Sequence, residues 1–154
     1  MVKNYIKTLR QKVGHEPIIL NFAGGILANS KNEILLQKRS DFNAWGLPGG
    51  ALEFGESAPK ACVREFLEEN GLKVRTKSLL GVSTNFIQHY PNQDVAQAVT
   101  VEFVVELVEK MSKEISSETL DLKYFYKDKL PKIFNKQHQI FIDHYFNEDY
   151  PFTD

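Results

Sequence analysis

The sequence has little that would tie it to a membrane or to an oxidising compartment. It holds a single cysteine, Cys62, which excludes a disulfide within the chain. No apolar run approaches the roughly 18 residues of a membrane-spanning helix, and no apolar leader segment is visible near the first residue. We therefore predict a soluble, cytoplasmic protein without a membrane partner.

An excess of charge of one sign is also absent. The net charge is −1, charged residues make up 25% of the sequence and apolar residues 42%. These values indicate neither disorder nor a broad electrostatic surface for nucleic acid, so a nucleic-acid partner is not expected. Because the 154 residues contain no repeat, linker or low-complexity tract, we predict one domain over residues 1–154.

What the sequence does contain is a dense pattern of glycines and acidic residues at residues 49–72, GGALEFGESAPKACVREFLEENGL. Ser57 is a good helix N-cap, Pro59 suits the first turn of a helix, and Gly71 suits its C-terminal end. The stretch therefore predicts a helix of about four turns between Ser57 and Gly71.

Three carboxylates of this helix share one face, because Glu68 and Glu69 lie about one turn after Glu65. On the opposite arc, Cys62 and Phe66 are expected to be buried, with Cys62 as a packing residue rather than a nucleophile. Like charges at this spacing destabilise a helix by about 0.2–0.5 kcal/mol per pair, so stability does not explain the cluster. A hard cation such as Mg²⁺, which prefers carboxylate oxygens and phosphates, does explain it. The alternative is a solvated acidic face.

The spacing of the whole stretch is that of the Nudix box, and the chain resembles the MutT-like Nudix hydrolases over residues 17–130. The nine matching positions, which form a box at residues 50–72, are Gly50, Glu56, Arg64, Glu65, Phe66, Glu68, Glu69, Gly71 and Leu72. Strands before and after a central helix indicate an α/β or α+β domain. The resemblance implies, more specifically, a three-layer α/β/α sandwich with a mixed sheet.

The resemblance also implies a chemistry and its cofactor. Water would hydrolyse a phosphoanhydride bond in a nucleoside diphosphate linked to a further group, with Mg²⁺ or Mn²⁺ bound at the site. Arg39 would face the substrate cleft. The implied metal ligands are the carbonyl of Gly49 and the carboxylates of Glu65, Glu68 and Glu69.

The implied catalytic residues are Arg64, Glu65, Glu68 and Glu118. The base that takes the proton of the attacking water is either Glu68 or the loop residue Glu118, since a base must lie within hydrogen-bond reach of that proton. An ion pair between Arg64 and Glu56 would brace the helix and the loop before it. Gly50, Glu56 and Gly71 have structural roles in the box.

Apolar periodicity predicts the elements outside the box. Helices are predicted near residues 4–13 and 133–145, and polar loops at 89–94 and 112–117. Strands are predicted at 17–22, at 33–39, as one or two strands within 79–87, from residue 97 onwards, and at 122–126.

We make separate predictions for several side chains outside the box. Tyr90 is expected to stack on a nucleotide base from its loop. Glu102 and Glu106 lie on the polar side of the strand that begins at residue 97, and are expected to be solvated. His138 and His144, on the last helix, are expected to be surface or packing residues.

The sequence thus predicts an enzyme that acts on a small nucleotide, and two other functions are weighed against it. A nucleotide-sensing module of the same fold would not cleave its ligand, but such modules typically have damaged boxes and this box is intact. An RNA 5′-end pyrophosphohydrolase would need a groove for a polyanion, which the near-neutral charge does not indicate. The resemblance leaves a homodimer open.

Overall fold

The computed structural model describes residues 4–111 and 115–154. Within them the elements are α1 (Tyr5–Val13), β1 (Ile18–Leu27), β2 (Ile34–Arg39), β3 (Ala44–Gly46), β4 (Gly49–Ala51), α2 (Ala58–Asn70), β5 (Leu72–His89), β6 (Val95–Lys110), β7 (Thr119–Phe125), α3 (Lys136–Phe146) and β8 (Phe152–Thr153). The predicted strand content of 79–87 belongs to one long strand, β5. Part of the predicted loop at 112–117, residues 112–114, lies outside the described residues.

The strands form two sheets. The larger has the order β4-β1-β6-β5-β8, and β1 runs parallel to β6 but antiparallel to β4. The smaller has the order β3-β2-β7 with antiparallel pairs. The predicted α+β class with a mixed sheet is therefore confirmed.

Two helices cover opposite faces of the larger sheet. Phe66 of α2 belongs to a buried cluster with Leu27 of β1, whereas Phe141 of α3 belongs to a second cluster with Ile26. Neighbouring residues of a strand point to opposite faces, so α2 and α3 lie on different sides. The helix α1 contributes no buried side chain, so of the two terminal helices only α3 forms a layer. No helix in residues 4–111 and 115–154 is long and apolar enough to cross a membrane.

The glycine pair of β1 allows the chain to approach this strand closely. The strand continues through Gly24 and Gly25. A Cβ on Gly24 would lie 2.4 Å from the carbonyl oxygen of Pro48, and one on Gly25 would lie 2.7 Å from Cγ1 of Val105. The N–H of Gly25 also donates to the carbonyl of Pro48 at 3.1 Å, so the residues before the box lie directly against β1.

The prediction that Glu102 is solvated is wrong, because the side chain is buried with 1% of its surface exposed. In register with it on the two neighbouring strands are Gly24 and Gly81. A Cβ on Gly24 would lie 3.0 Å from Oε1 of Glu102, so the missing side chain of Gly24 leaves space for the carboxyl group. Both faces of β6 are covered, so alternation along this strand does not separate a core side from a solvent side. Burial raises the pKa of Glu102 well above its usual range. The prediction for Glu106 holds, since it pairs at the surface with Arg75.

Candidate active site

The predicted box helix is present as α2, and its ends have the predicted caps. The side chain of Ser57 accepts a hydrogen bond from the backbone N–H of Lys60, and Gly71 adopts a left-handed conformation with φ 67°. Along one side Cys62 and Phe66 are fully buried. The other side is therefore free to present its carboxylates to the cleft.

The backbone at Gly49 and Gly50 lies beside the first of these carboxylates. A Cβ on Gly50 would lie 2.5 Å from the carboxylate carbon of Glu65. On Gly49 a Cβ would lie 2.5 Å from the carbonyl oxygen of Ala23. Gly49 leaves no room for a side chain, because its contacts are with backbone, and a side chain at Gly50 would displace the carboxylate of Glu65.

Glu65 and Glu69 are half-buried carboxylates on the same face of α2, and the Glu65 side chain is 12% exposed. Burial is the first cause that raises the pKa of both groups, and for Glu69 the charges of Glu65 and Glu118 add to it. Nε2 of Gln37 donates a hydrogen bond to Glu69 at 2.9 Å.

Arg64 connects this pair to the rest of the box. Its Nε and Nη2 donate to the two oxygens of Glu56 at 2.6 and 2.9 Å, and Nη2 also donates to the carbonyl of Ala51 at 3.0 Å. Nη1 donates to Glu65 at 2.8 Å and to Glu68 at 3.1 Å. The hydrogen bond from Arg64 lowers the pKa of Glu56. The arginine thus fixes two carboxylates of the helix relative to the preceding loop.

These residues fit a hard divalent cation. As they stand, no three acidic, His or Cys side chains in the described part of the chain converge closely enough to coordinate one ion. The available donors are nevertheless all oxygens, and the charge of Glu65 raises the pKa of Glu69, so the two carboxylates repel each other when both are ionised. Oxygen-only donor sets with uncompensated negative charge are what Mg²⁺ and Mn²⁺ prefer.

A cleft of about 790 Å³ opens above the helix. Nine residues singled out from the sequence line it, namely Arg39, Gly49, Gly50, Arg64, Glu65, Glu68, Glu69, Tyr90 and Glu118. Two others lie outside this lining: Glu56 pairs with Arg64, and Gly71 ends the helix. The carboxylate of Glu68 is 55% exposed. The loop that carries Glu118 is held by a hydrogen bond from the N–H of Ser40 to the carbonyl of Glu118 at 3.0 Å.

The wall opposite the helix carries the predicted substrate-binding residues. Arg39 donates from Nε and Nη2 to both oxygens of Asp41 at 2.9 and 2.7 Å, and its guanidinium lies 4.6 Å from the ring centre of Phe134. Tyr90 is partly buried, with its ring 5.9 Å from that of Phe42. Burial raises the pKa of Tyr90.

Some residues of the site were not found from the sequence. Gln37 lies two positions before Arg39 on β2, so strand alternation would have placed both on the cleft side. His138 was expected only to pack, but its Nδ1 accepts a hydrogen bond from the N–H of Leu47 at 2.9 Å and so holds the segment before Gly49. No local pattern signals that contact, because 91 residues separate its partners. The predicted packing of His144 is present as a ring stacked on Phe152.

Helix α1 and strand β1 add a further wall that the sequence did not reveal. Ile6, Arg10, Leu20 and Phe22 line the cleft between the two elements. The N–H of Tyr5 donates to a carboxylate oxygen of Glu53 at 3.0 Å, which ties α1 to the residues before the box helix.

The cleft thus brings together the carboxylates of α2, a bracing arginine and a glycine segment. The family model described as the NUDIX domain matches residues 22–145, and the protein belongs to this family. Similarity to a solved NUDIX hydrolase from Nitrosomonas europaea has a TM-score of 0.69 at 24% identity, and it covers 87% of this chain and 73% of that one. At that identity the likeness concerns the fold alone.

Two curated relatives are similar over parts of the sequence. An ADP-ribose pyrophosphatase of Methanocaldococcus jannaschii is 33% identical over 106 residues, which are 66% of this chain and 59% of that protein. An RNA pyrophosphohydrolase of Psychrobacter cryohalolentis is 39% identical over 66 residues, which are 43% and 38% of the two chains. The match therefore spans less than two thirds of the length of either relative.

Proposed function

We propose that the protein hydrolyses a phosphoanhydride bond in a nucleoside diphosphate linked to another group, with Mg²⁺ or Mn²⁺ as cofactor. The observation that carries this proposal is the cluster of carboxylates Glu65, Glu68 and Glu69, which lines a cleft next to the backbone of Gly49 and Gly50. A carboxylate cluster of this kind has no stabilising purpose in the fold, whereas it suits cations that bridge protein and phosphate oxygens.

The residues that would hold the cations are the Gly49 carbonyl and the carboxylates of Glu65, Glu68 and Glu69. When bound, the metal would neutralise phosphate charge and lower the pKa of a water molecule. Arg64 keeps Glu65 and Glu68 in place through its hydrogen bonds.

The proton of the attacking water goes to Glu68 or Glu118, because both carboxylates line the cleft and are exposed in it. A bond forms between the water oxygen and phosphorus, the bond from phosphorus to the bridging oxygen breaks, and the departing phosphate keeps the electron pair. Arg39 and Tyr90 contact the substrate on the opposite wall, where the Tyr90 ring can stack on a base.

A hydrolysis screen tests the proposal. The substrates are nucleoside triphosphates, oxidised nucleotides, ADP-ribose, nucleotide sugars, dinucleoside polyphosphates and 5′-triphosphorylated or capped RNA, each with Mg²⁺, with Mn²⁺ and with excess chelator. We expect at least one small nucleotide to be cleaved at its anhydride and no cleavage in chelator. Cleavage of none, or equal cleavage in chelator, would contradict the proposal.

The same screen separates the two other candidates. Preference for the RNA substrates would favour an RNA 5′-end pyrophosphohydrolase, the function named for one of the relatives. Nucleotide binding without cleavage would favour a sensing module. A single domain over 1–154, a cytoplasmic location and a homodimer stay predictions, which limited proteolysis, localisation and gel filtration can address.

A further inference from the structure

Two donors hold the three carboxylates of α2. Arg64 donates to Glu65 and Glu68 at 2.8 and 3.1 Å. The third carboxylate, that of Glu69, accepts from Nε2 of Gln37 at 2.9 Å. Gln37 belongs to β2 rather than to the box, and 32 residues separate it from Glu69. This hydrogen bond therefore connects the smaller sheet to the box helix.

The backbone of Gln37 is fixed on both sides. Strand β2 is the central strand of the smaller sheet, and Gln37 pairs with Gly46 of β3 and with Leu122 of β7. Its side chain lines the cleft, yet only 4% of the residue is exposed. A side chain that starts from a paired central strand and ends on a carboxylate has little freedom, so it can hold that carboxylate in one orientation.

Stability does not explain an amide at this position. Oε1 of Gln37 is buried and has no hydrogen-bond partner within residues 4–111 and 115–154. A buried acceptor without a partner destabilises the folded state, whereas an apolar side chain of the same shape avoids that cost. One end of the amide thus binds Glu69 while the other end opposes folding. Conflicts of this kind are expected at functional sites.

The bound end of the amide can orient a metal ligand. The N–H of Gln37 engages Oε2 of Glu69, which leaves the remaining lone pairs of that carboxylate for a cation. Carboxylates that bind a metal are commonly fixed by such hydrogen bonds, and removal of the donor typically weakens metal binding or activity about 10- to 100-fold.

We propose that Gln37 is a positioning residue, which fixes the carboxylate of Glu69 in the orientation that binds a divalent cation. Gln37 acts through Glu69 rather than as a ligand of its own. This inference rests on the proposed function, because that proposal makes Glu69 a metal ligand.

The variant Gln37→Met tests this role, because methionine keeps the length of glutamine and has no N–H to donate. Calorimetric titration of the nucleotide-free protein with Mn²⁺ measures the affinity for the cation. We expect the dissociation constant to rise at least about tenfold. The melting temperature without metal should change by less than about 4 °C, because the lost hydrogen bond is offset by the removal of a buried unpaired acceptor. An unchanged Mn²⁺ affinity would overturn the inference.

Gln88→Met is the matched control. Gln88 is also buried, but both ends of its amide have partners. Its Nε2 donates to the carbonyl of His89 at 2.9 Å, and its Oε1 accepts from Nδ2 of Asn135 at 3.0 Å. The control should therefore lower the melting temperature and leave the Mn²⁺ affinity unchanged. If both variants weaken Mn²⁺ binding equally, the effect of Gln37→Met is one of folding, and the inference fails.

A double-mutant cycle tests whether Gln37 acts through Glu69. In the wild-type background, Gln37→Met should lower kcat/KM at least about tenfold for the nucleotide that is cleaved fastest in the hydrolysis screen. In the Glu69→Gln background the same change should lower kcat/KM by less than about twofold, because the group that Gln37 positions is already altered. Equal losses in both backgrounds would contradict the inference.

Metal binding keeps the two proposals separable. If no nucleotide is cleaved, the proposed function fails, and the Mn²⁺ titrations of the wild type, Gln37→Met and Gln88→Met still decide the inference. Weaker binding in Gln37→Met alone supports it, and equal affinity in all three proteins contradicts it. A wild type that binds no Mn²⁺ contradicts both proposals.

Discussion

At the scale of single residues, the largest departure from the sequence concerns Glu102. An acidic residue in an alternating strand is expected to face solvent, but β6 is covered on both sides and Glu102 lies in the interior. Its Oε1 has no hydrogen-bond partner in the described structure. Burial raises the pKa of Glu102, so the carboxyl is neutral in the folded protein at pH values where it is ionised in the unfolded chain.

The difference between the pKa of Glu102 in the folded protein and in the unfolded chain predicts how stability depends on pH. A group whose pKa is raised by folding contributes stability below its unfolded pKa of about 4.3, and that contribution is lost as pH rises towards the folded pKa. Glu102→Gln is neutral throughout. The unfolding free energy of the variant relative to the wild type should therefore increase from pH 5 to pH 8, by up to about 1.4 kcal/mol per pH unit.

Urea unfolding at several pH values measures the difference in unfolding free energy between Glu102→Gln and the wild type. Glu106→Gln is the control, because that residue lies on the same strand but pairs with Arg75 at the surface. A pH-independent difference for Glu102→Gln would show that Glu102 titrates equally in both states.

The single thiol was predicted to be a packing residue, and the structure confirms that Cys62 is buried. Burial raises the pKa of Cys62 far above neutrality, which disfavours the nucleophilic thiolate. We expect Cys62→Ala to keep kcat within a few fold and to cost about 1 kcal/mol of stability. Steady-state kinetics and thermal melting check this, and an inactive variant with an unchanged melting curve would make the thiol part of the chemistry.

At the scale of elements, the sequence predicted those whose signals are local. The box helix was predictable because Ser57, Pro59 and Gly71 mark its ends and the carboxylates recur at helical spacing. The β5–β6 pairing was less predictable, since its register shifts at four places and spreads apolar residues over both faces. Helix α1 was predicted from its own apolar periodicity. Its position at the cleft was not predicted.

The position of helix α1 at the cleft depends on polar contacts between residues that are distant in the sequence. Nδ1 of His15 lies 2.7 Å from Oδ1 of Asp94, a residue 79 positions later, and Arg10 reaches Val95. Because no residue of α1 is fully buried, these contacts add to the packing of the half-buried Ile6, Leu9 and Val13 in holding the helix.

Weakening the contacts should affect substrate binding more than stability. In Asp94→Asn the pairing with His15 loses its charge, and we expect KM to rise several-fold with kcat less affected, the pattern of lost uniform binding. The melting temperature should fall by less than about 4 °C, because an ion pair near the surface contributes about 1 kcal/mol or less. Asp143→Asn, exposed on α3, is the control. An unchanged KM for every substrate would mean that α1 does not shape the site.

At the scale of the whole molecule, the order of the chain explains what could be predicted. Four cleft residues come from the box helix, namely Arg64, Glu65, Glu68 and Glu69, and these were expected, with Gly49 and Gly50 before the helix, from the resemblance to the Nudix box. The rest of the lining comes from α1, β1, β2 and the loop after it, residues 51 and 53, the β5–β6 turn and the loop before β7, which meet only in the folded protein. Ion pairs such as that of Arg39 with Asp41 decide which charges stay available, and these depend on side-chain geometry.

The proposed hydrolysis requires that the carboxylates of α2 act in a metal-dependent reaction. The most direct measurement is the rate of anhydride hydrolysis against Mg²⁺ concentration for the wild type and Glu69→Gln, with Glu109→Gln, exposed at the far end of β6, as control. The wild type and the control should need Mg²⁺ and lose activity in chelator. Glu69→Gln should lose at least about 100-fold in kcat/KM, near 3 kcal/mol, without a lower melting temperature, because its repulsion with Glu65 is relieved. Full activity in excess chelator, or in Glu69→Gln, would contradict the account.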